Sequence, residues 1–99
     1  MVGIRRDMTD EVHCVHILVK TQKDANRLRE RVLAGEDFGA LAKEFSSCPS
    51  KENGGDLGWF GRGQMVKPFE NAAFKGEPGD VCVCRTQFGW HVIRILEKR

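Results

Sequence analysis

The sequence predicts one α+β domain, a four-stranded antiparallel sheet surrounded by three to four helices. Two observations carry this. Strand-like runs stand near both ends of the chain, at residues 12–20 and 81–96, and helix-like segments fill the middle. Strands at both ends with helices between them cannot form a simple meander, so the first and last strands are expected near the centre of the sheet, which brings His16 beside His91. The 99 residues allow one core, burying ~60–65% of the surface the unfolded chain exposes.

Residues 1–10 lack periodicity and read as a flexible leader, leaving residues 11–99 as the domain. From Val12 to Lys20 two sets alternate, Val12, Cys14, His16 and Leu18 against His13, Val15, Ile17 and Val19, as in a strand covered on both faces. Thr21 with Asp24 resembles a capping box, and Ala25, Leu28 and Val32 share a helical face that Gly35 ends. Asp37 caps a second helix in which Phe38, Leu41 and Phe45 recur at helical spacing and are expected to be buried; it stops before Pro49. The stretch from Cys48 to Gly63 is rich in turn residues, interrupted by a short strand at Asp56-Leu57-Gly58-Trp59-Phe60. Pro68 opens a third helix that runs through Phe74 to Gly76, where Pro78-Gly79 turns the chain. Val81 to Arg85 and His91 to Leu96 form a hairpin around Gln87-Phe88-Gly89.

Net charge is +2, spread evenly over the chain, without the clustered cations and exposed aromatics expected of nucleic-acid binding. No apolar run approaches the roughly 20 residues of a membrane span, and residues 1–11 are too polar for a signal peptide, so a cytoplasmic location is expected. Four cysteines are present; Cys82 and Cys84, expected on opposite strand faces, do not suit a disulfide framework, and reduced thiols are the reading.

Three islands stand out: His16 in His16-Ile17-Leu18-Val19, Cys48 in Phe45-Ser46-Ser47-Cys48-Pro49-Ser50, and His91 in Phe88-Gly89-Trp90-His91-Val92-Ile93. Polar residues inside apolar runs must find partners, and several converging indicate a site. A structural reading stands beside it, in which the two histidines tie central strands together; the two are compatible. A thiolate beside histidines would suit a covalent enzyme. A metal site from His13, Cys14, His16, Cys82 and Cys84 lacks familiar ligand spacing, and the cysteines read better as small strand residues. Gly54-Gly55 and Gly61-x-Gly63 lack the context of phosphate loops.

Four motifs, His16-Ile17-Leu18-Val19-Lys20, Gly54-Gly55-Asp56-Leu57-Gly58, Gly63-Gln64-Met65-Val66-Lys67-Pro68-Phe69 and Gly89-Trp90-His91-Val92-Ile93, resemble the parvulin family of peptidyl-prolyl cis/trans isomerases, in order and over about residues 12–97. The resemblance implies the parvulin (FKBP-like) fold and rotation about X-Pro bonds without a cofactor. It implies that His16 and His91 are a hydrogen-bonded pair at the floor of the site, Cys48 the central polar residue, and Thr86 a partner of the pair. Leu57, Met65, Phe69 and Phe88 would then form the pocket for the proline ring.

A long basic loop, which phosphate-directed members carry after the first strand, is missing here: Lys20 runs straight into Thr21-Gln22-Lys23-Asp24. No phosphate requirement is therefore expected. With no companion module in 99 residues, the chain resembles small stand-alone parvulins. The expectation is a monomer acting on X-Pro-containing peptides and unfolded or partly folded clients. The rival readings are a non-catalytic binder of proline-containing segments and a thiol enzyme.

Overall fold

The structure is a computed structural model that describes residues 9–99. The leader expected over residues 1–10 therefore falls, for residues 1–8, outside the described residues. Asp10 is tied to the far end of the chain, its N–H donating to Arg99 O at 2.7 Å.

In chain order the elements are β1 (Glu11–Val19), α1 (Gln22–Leu33), α2 (Phe38–Phe45), a 3₁₀ turn (Pro49–Asn53), β2 (Asp56–Gly61), α3 (Lys67–Lys75), β3 (Val81–Thr86) and β4 (Gly89–Lys98). The sheet order is β2-β1-β4-β3 with every pair antiparallel, so the first and last strands occupy the centre as expected. Local chemistry sets the ends of the helices. Thr21 Oγ1 accepts the Asp24 N–H at 3.1 Å and Asp37 Oδ2 accepts the Ala40 N–H at 2.9 Å, each satisfying a donor that the first helical turn leaves free. Pro68 sits in the first turn of α3, where a missing N–H costs nothing.

Both faces of the sheet are covered. On one, Ile17, Val19 and Val92 pack with Ala25, Leu28 and Val32 of α1 and with Phe38, Leu41 and Ala42 of α2. On the other, Val12, Cys14, Ile93 and Ile95 pack with Phe69, Ala73 and Phe74 of α3 and Phe60 of β2. Burying each such large apolar side chain contributes roughly 1.5–3 kcal/mol. Because consecutive strand residues alternate faces, β1 and β4 supply both cores from one continuous apolar run. The β3 edge is guarded by Arg29 of α1, whose Nε–H donates to Val81 O at 2.9 Å and removes a pairing site from an exposed strand edge.

Some expectations need correction. Cys82 and Cys84 do not lie on opposite faces; both pack against the α3-side core, as residues two apart on a strand must. All four cysteines are nonetheless free thiols. Phe45 is not buried but 40% exposed, because it falls in the last turn of α2, where it lies 5.5 Å from the Arg31 guanidinium. The loop after Cys48 contains a 3₁₀ turn that its Ser, Gly and Asn content concealed. The residues weighed as metal ligands are divided across the sheet: His13 bonds Asp56 of β2 at 2.7 Å, whereas Cys82 and Cys84 are on β3 at the opposite edge.

β1 and the start of β2 meet through Gly55, whose carbonyl accepts the His16 N–H at 2.9 Å. Gly55 has φ +83°, and a Cβ there would run into the His16 carbonyl oxygen. Gly55→Ala is therefore expected to destabilise the domain by about 1–3 kcal/mol or more, read as a lower urea midpoint; an unchanged midpoint would contradict this account of the junction.

Candidate functional site

His16 and His91 stand on the two central strands. Leu18 is directly opposite His91 and Ile93 opposite His16, so the histidines are diagonal neighbours on one face of the sheet. Their rings lie nearly parallel, 5.1 Å apart at 18°, with Nδ1 to Nδ1 at 3.0 Å. Phe69 of α3 stands edge-on to both, at 5.5 Å from His16 and 5.1 Å from His91. Behind His91, the Thr86 hydroxyl of β3 lies 2.8 Å from Nε2 and also accepts the Phe88 N–H at 3.1 Å.

Both imidazoles are buried, and burial drives both below the ordinary histidine range, to about 4; for His16 the neighbouring His91 adds to the effect. The pair is thus neutral at pH 7. Two neutral rings sharing one Nδ1–Nδ1 contact need one donor and one acceptor. Among the described residues Thr86 Oγ1 has two partners, and since it already accepts from Phe88 its own proton goes to His91 Nε2. His91 Nδ1–H then donates to His16 Nδ1, leaving one buried group without a partner, His16 Nε2–H. The reverse chain would strand the Thr86 hydroxyl proton as well, and a second unsatisfied buried group is the costlier arrangement.

Cys48 is brought to the edge of the site by a segment sewn onto the end of β1. Ser46 Oγ accepts the N–H groups of Leu18 at 3.0 Å and Cys48 at 3.2 Å, while Ser47 N–H donates to Leu18 O at 2.8 Å. The Ser50 hydroxyl donates to Cys48 Sγ at 3.3 Å. Neither histidine hydrogen-bonds to Cys48: Nδ1 of each is committed to the other, His91 Nε2 to Thr86, and the buried His16 Nε2 has no partner among the described residues. The other three thiols are held protonated by burial, Cys14 up to about 12 and Cys84 up to about 11, with Cys82 also raised.

These elements enclose a cavity of about 470 Å³. His16, His91 and Phe69 form its base, Leu57, Met65 and Val66 its apolar wall, and Cys48, Pro49 and Phe88 part of its rim. Seven of the eight residues singled out in the sequence line it; Thr86 does not, and stands behind His91. Leu18, Ser47, Pro49, Gln64 and Val66 also line it and were not singled out. Gln64 and Val66 had a signal, since they flank Met65 in the same motif; the pinning role of Ser46 had none, because it depends on a contact 28 residues away.

The sequence profile described as "PPIC-type PPIASE domain" matches residues 1–99. Foldase protein PrsA of Geobacillus kaustophilus is 48% identical over 90 residues, covering 89% of this chain and 32% of that protein. The chain thus spans about a third of the length of such curated relatives. The solution structure of NmPin, the parvulin of Nitrosopumilus maritimus, superposes with a TM-score of 0.82 at 43% identity, covering 90% of this chain and 98% of that one. CsPin of Cenarcheaum symbiosum does so with a TM-score of 0.81 at 49% identity, covering 96% and 100%.

A histidine whose folded-state pKa lies below its unfolded value favours folding fully above the unfolded value, and that contribution is lost as pH falls toward the folded one. With the pair at about 4 against about 6.5 when unfolded, stability is expected to fall as pH drops from 6.5 to 4, at up to about 1.4 kcal/mol per pH unit for each histidine. Urea titrations at pH 7, 5.5 and 4.5, compared between wild type and His91→Asn, check this; an equal slope in both would show that the pair is not its source.

Proposed function

This chain belongs to the PPIC-type PPIase family, the parvulins, and we propose that it catalyses cis/trans rotation about X-Pro peptide bonds in peptides and in unfolded or partly folded protein clients. The observation that carries the reading is the apolar cavity closed at its base by two neutral, hydrogen-bonded histidines.

Planar amides resist rotation by about 18–20 kcal/mol because twisting breaks C–N resonance. The twisted state has less charge on its carbonyl oxygen than either planar isomer. A pocket that grips the proline ring between Leu57, Met65, Phe69 and Phe88 and removes water from the amide therefore favours the twisted state over both planar ones. No bond is made or broken, and each ~1.4 kcal/mol of this preference is worth tenfold in rate.

His16 and His91, neutral and committed to each other, serve as a rigid polar floor and not as acid or base. Thr86 fixes the orientation of His91. Cys48 presents a polarisable, weakly hydrogen-bonding thiol at the rim; its lack of a histidine base argues against a nucleophilic role. Phosphate before proline is not required in this reading, since bidentate capture calls for an arginine cluster after β1 and the chain has Lys20-Thr21-Gln22-Lys23 there. A monomeric state belongs to the same proposal. A cytoplasmic location belongs to the same proposal. Nucleic acid is not a partner, in keeping with a net charge of only +2.

The test is two-dimensional NMR exchange on Ala-Xaa-Pro-Phe peptides with catalytic amounts of protein, Xaa being Leu, Ala, Glu or phosphoserine. Exchange cross-peaks that depend on the protein and are strongest for neutral Xaa are expected. Binding shifts without added exchange would instead establish a proline-binding module. In the same assay Cys48→Ala is expected to lower kcat/KM about tenfold, whereas Cys48→Asp, which keeps a polar group at the rim, stays within about threefold of wild type.

A further inference from the structure

Glu70 is the one carboxylate buried to 2% exposure among the described residues, and the chemistry above makes no use of it. It lies in the first turn of α3 and reaches back over the loop of residues 62–66. Its Oε1 accepts the Gly63 N–H at 2.6 Å; its Oε2 lies 3.2 Å from an Arg62 guanidinium nitrogen and 3.9 Å from Lys67 Nζ. Arg62 is held in turn over the Phe74 ring, 4.3 Å from its centroid. The same loop is pinned once more where Gln64 Oε1 accepts the Gly61 N–H at 3.0 Å.

A buried charge is costly unless it is paired and hydrogen-bonded, and a well-packed apolar residue would stabilise the helix start at least as well. The carboxylate does something an apolar side chain cannot: it fixes a backbone N–H at Gly63, where φ is +87° and the chain reverses. The next three residues, Gln64, Met65 and Val66, line the cavity. The Gly63 N–H is also the leading cause holding the Glu70 carboxyl below the usual carboxylate range, so the contact stays charge-assisted at neutral pH.

We propose that Glu70 is a positioning residue whose carboxylate sets the loop bearing Gln64, Met65 and Val66, and with it the tightness of the grip on the proline-containing substrate, without touching that substrate. The proposal rests on the reading of the cavity as the X-Pro site. Shape-conserving Glu70→Gln weakens the grip by removing the charge, and Arg62→Ala, at a half-exposed position, does so in the same direction while keeping the Glu70 carboxylate on the Gly63 N–H.

The experiment follows the Met65 methyl resonance during titration with Ala-Leu-Pro-Phe, alongside exchange kinetics and thermal melting. Glu70→Gln is expected to shift the free-state Met65 methyl signal, and to raise peptide Kd and KM about three- to tenfold with kcat within about twofold. Arg62→Ala is expected to give a smaller change of the same sign with a modest fall in Tm, since Glu70 loses an ion pair and Phe74 its covering guanidinium. Unchanged Kd and Met65 signal in both variants would overturn the proposal, as would a fall in kcat with KM unaltered. Wild-type binding without catalysis would refute the isomerase reading alone, since the Glu70 proposal is read from Kd and the methyl signal.

Discussion

Two imidazoles in a water-poor position at the centre of a sheet are costly unless their nitrogens find partners, and the arrangement that supplies partners to three of the four fixes much of this molecule. His16 and His91 reach one another only when β1 and β4 are adjacent, antiparallel and in the observed register. Thr86 reaches His91 only when the β3–β4 hairpin closes through its two-residue turn. Phe69 stands edge-on to both rings only when α3 crosses that face. The hydrogen-bonded pair therefore constrains the sheet order, the hairpin register and the placement of one helix together. The same contacts form the base of the cavity, so forming the fold and forming the site are one event.

Around this polar floor the chemistry is mostly subtraction. Neutral histidines cannot exchange protons usefully near pH 7, three of the four thiols are held protonated, and Cys48 lacks a base. What is left is shape and polarity: an apolar cavity with a few weak hydrogen-bonding groups, well suited to a reaction in which no covalent bond changes and the planar amide needs only to be made less comfortable than its twisted form.

Much of this was legible in the sequence for reasons that are local. The helix starts at Thr21, Asp37 and Pro68 are written in residues within one turn, and the strand alternation of β1 and β4 is read at period two. The pairing of His16 with His91 followed from topology, since strands at both ends with helices between them leave few ways to close a sheet. What was missed depended on distance or on solvent. Phe45 has the spacing of a core residue but is the last residue of α2 and is 40% exposed. Ser46 and Glu70 look like ordinary polar residues until the segments they hold, Cys48 and the loop at Gly63, are folded against them. The motif that contains Met65 and Phe69 marked the cavity; the carboxylate one position later showed its use only in three dimensions.

Imidazole protonation and tautomers are visible directly in long-range ¹H–¹⁵N correlation spectra, recorded on uniformly ¹⁵N-labelled protein from pH 7 down to pH 5. Two neutral buried rings are expected throughout, His91 carrying its proton on Nδ1 and His16 on Nε2, as the chain from Phe88 through Thr86 requires. A cationic ring at pH 7, or the opposite pair of tautomers, would contradict the hydrogen-bond chain on which this description of the site is built.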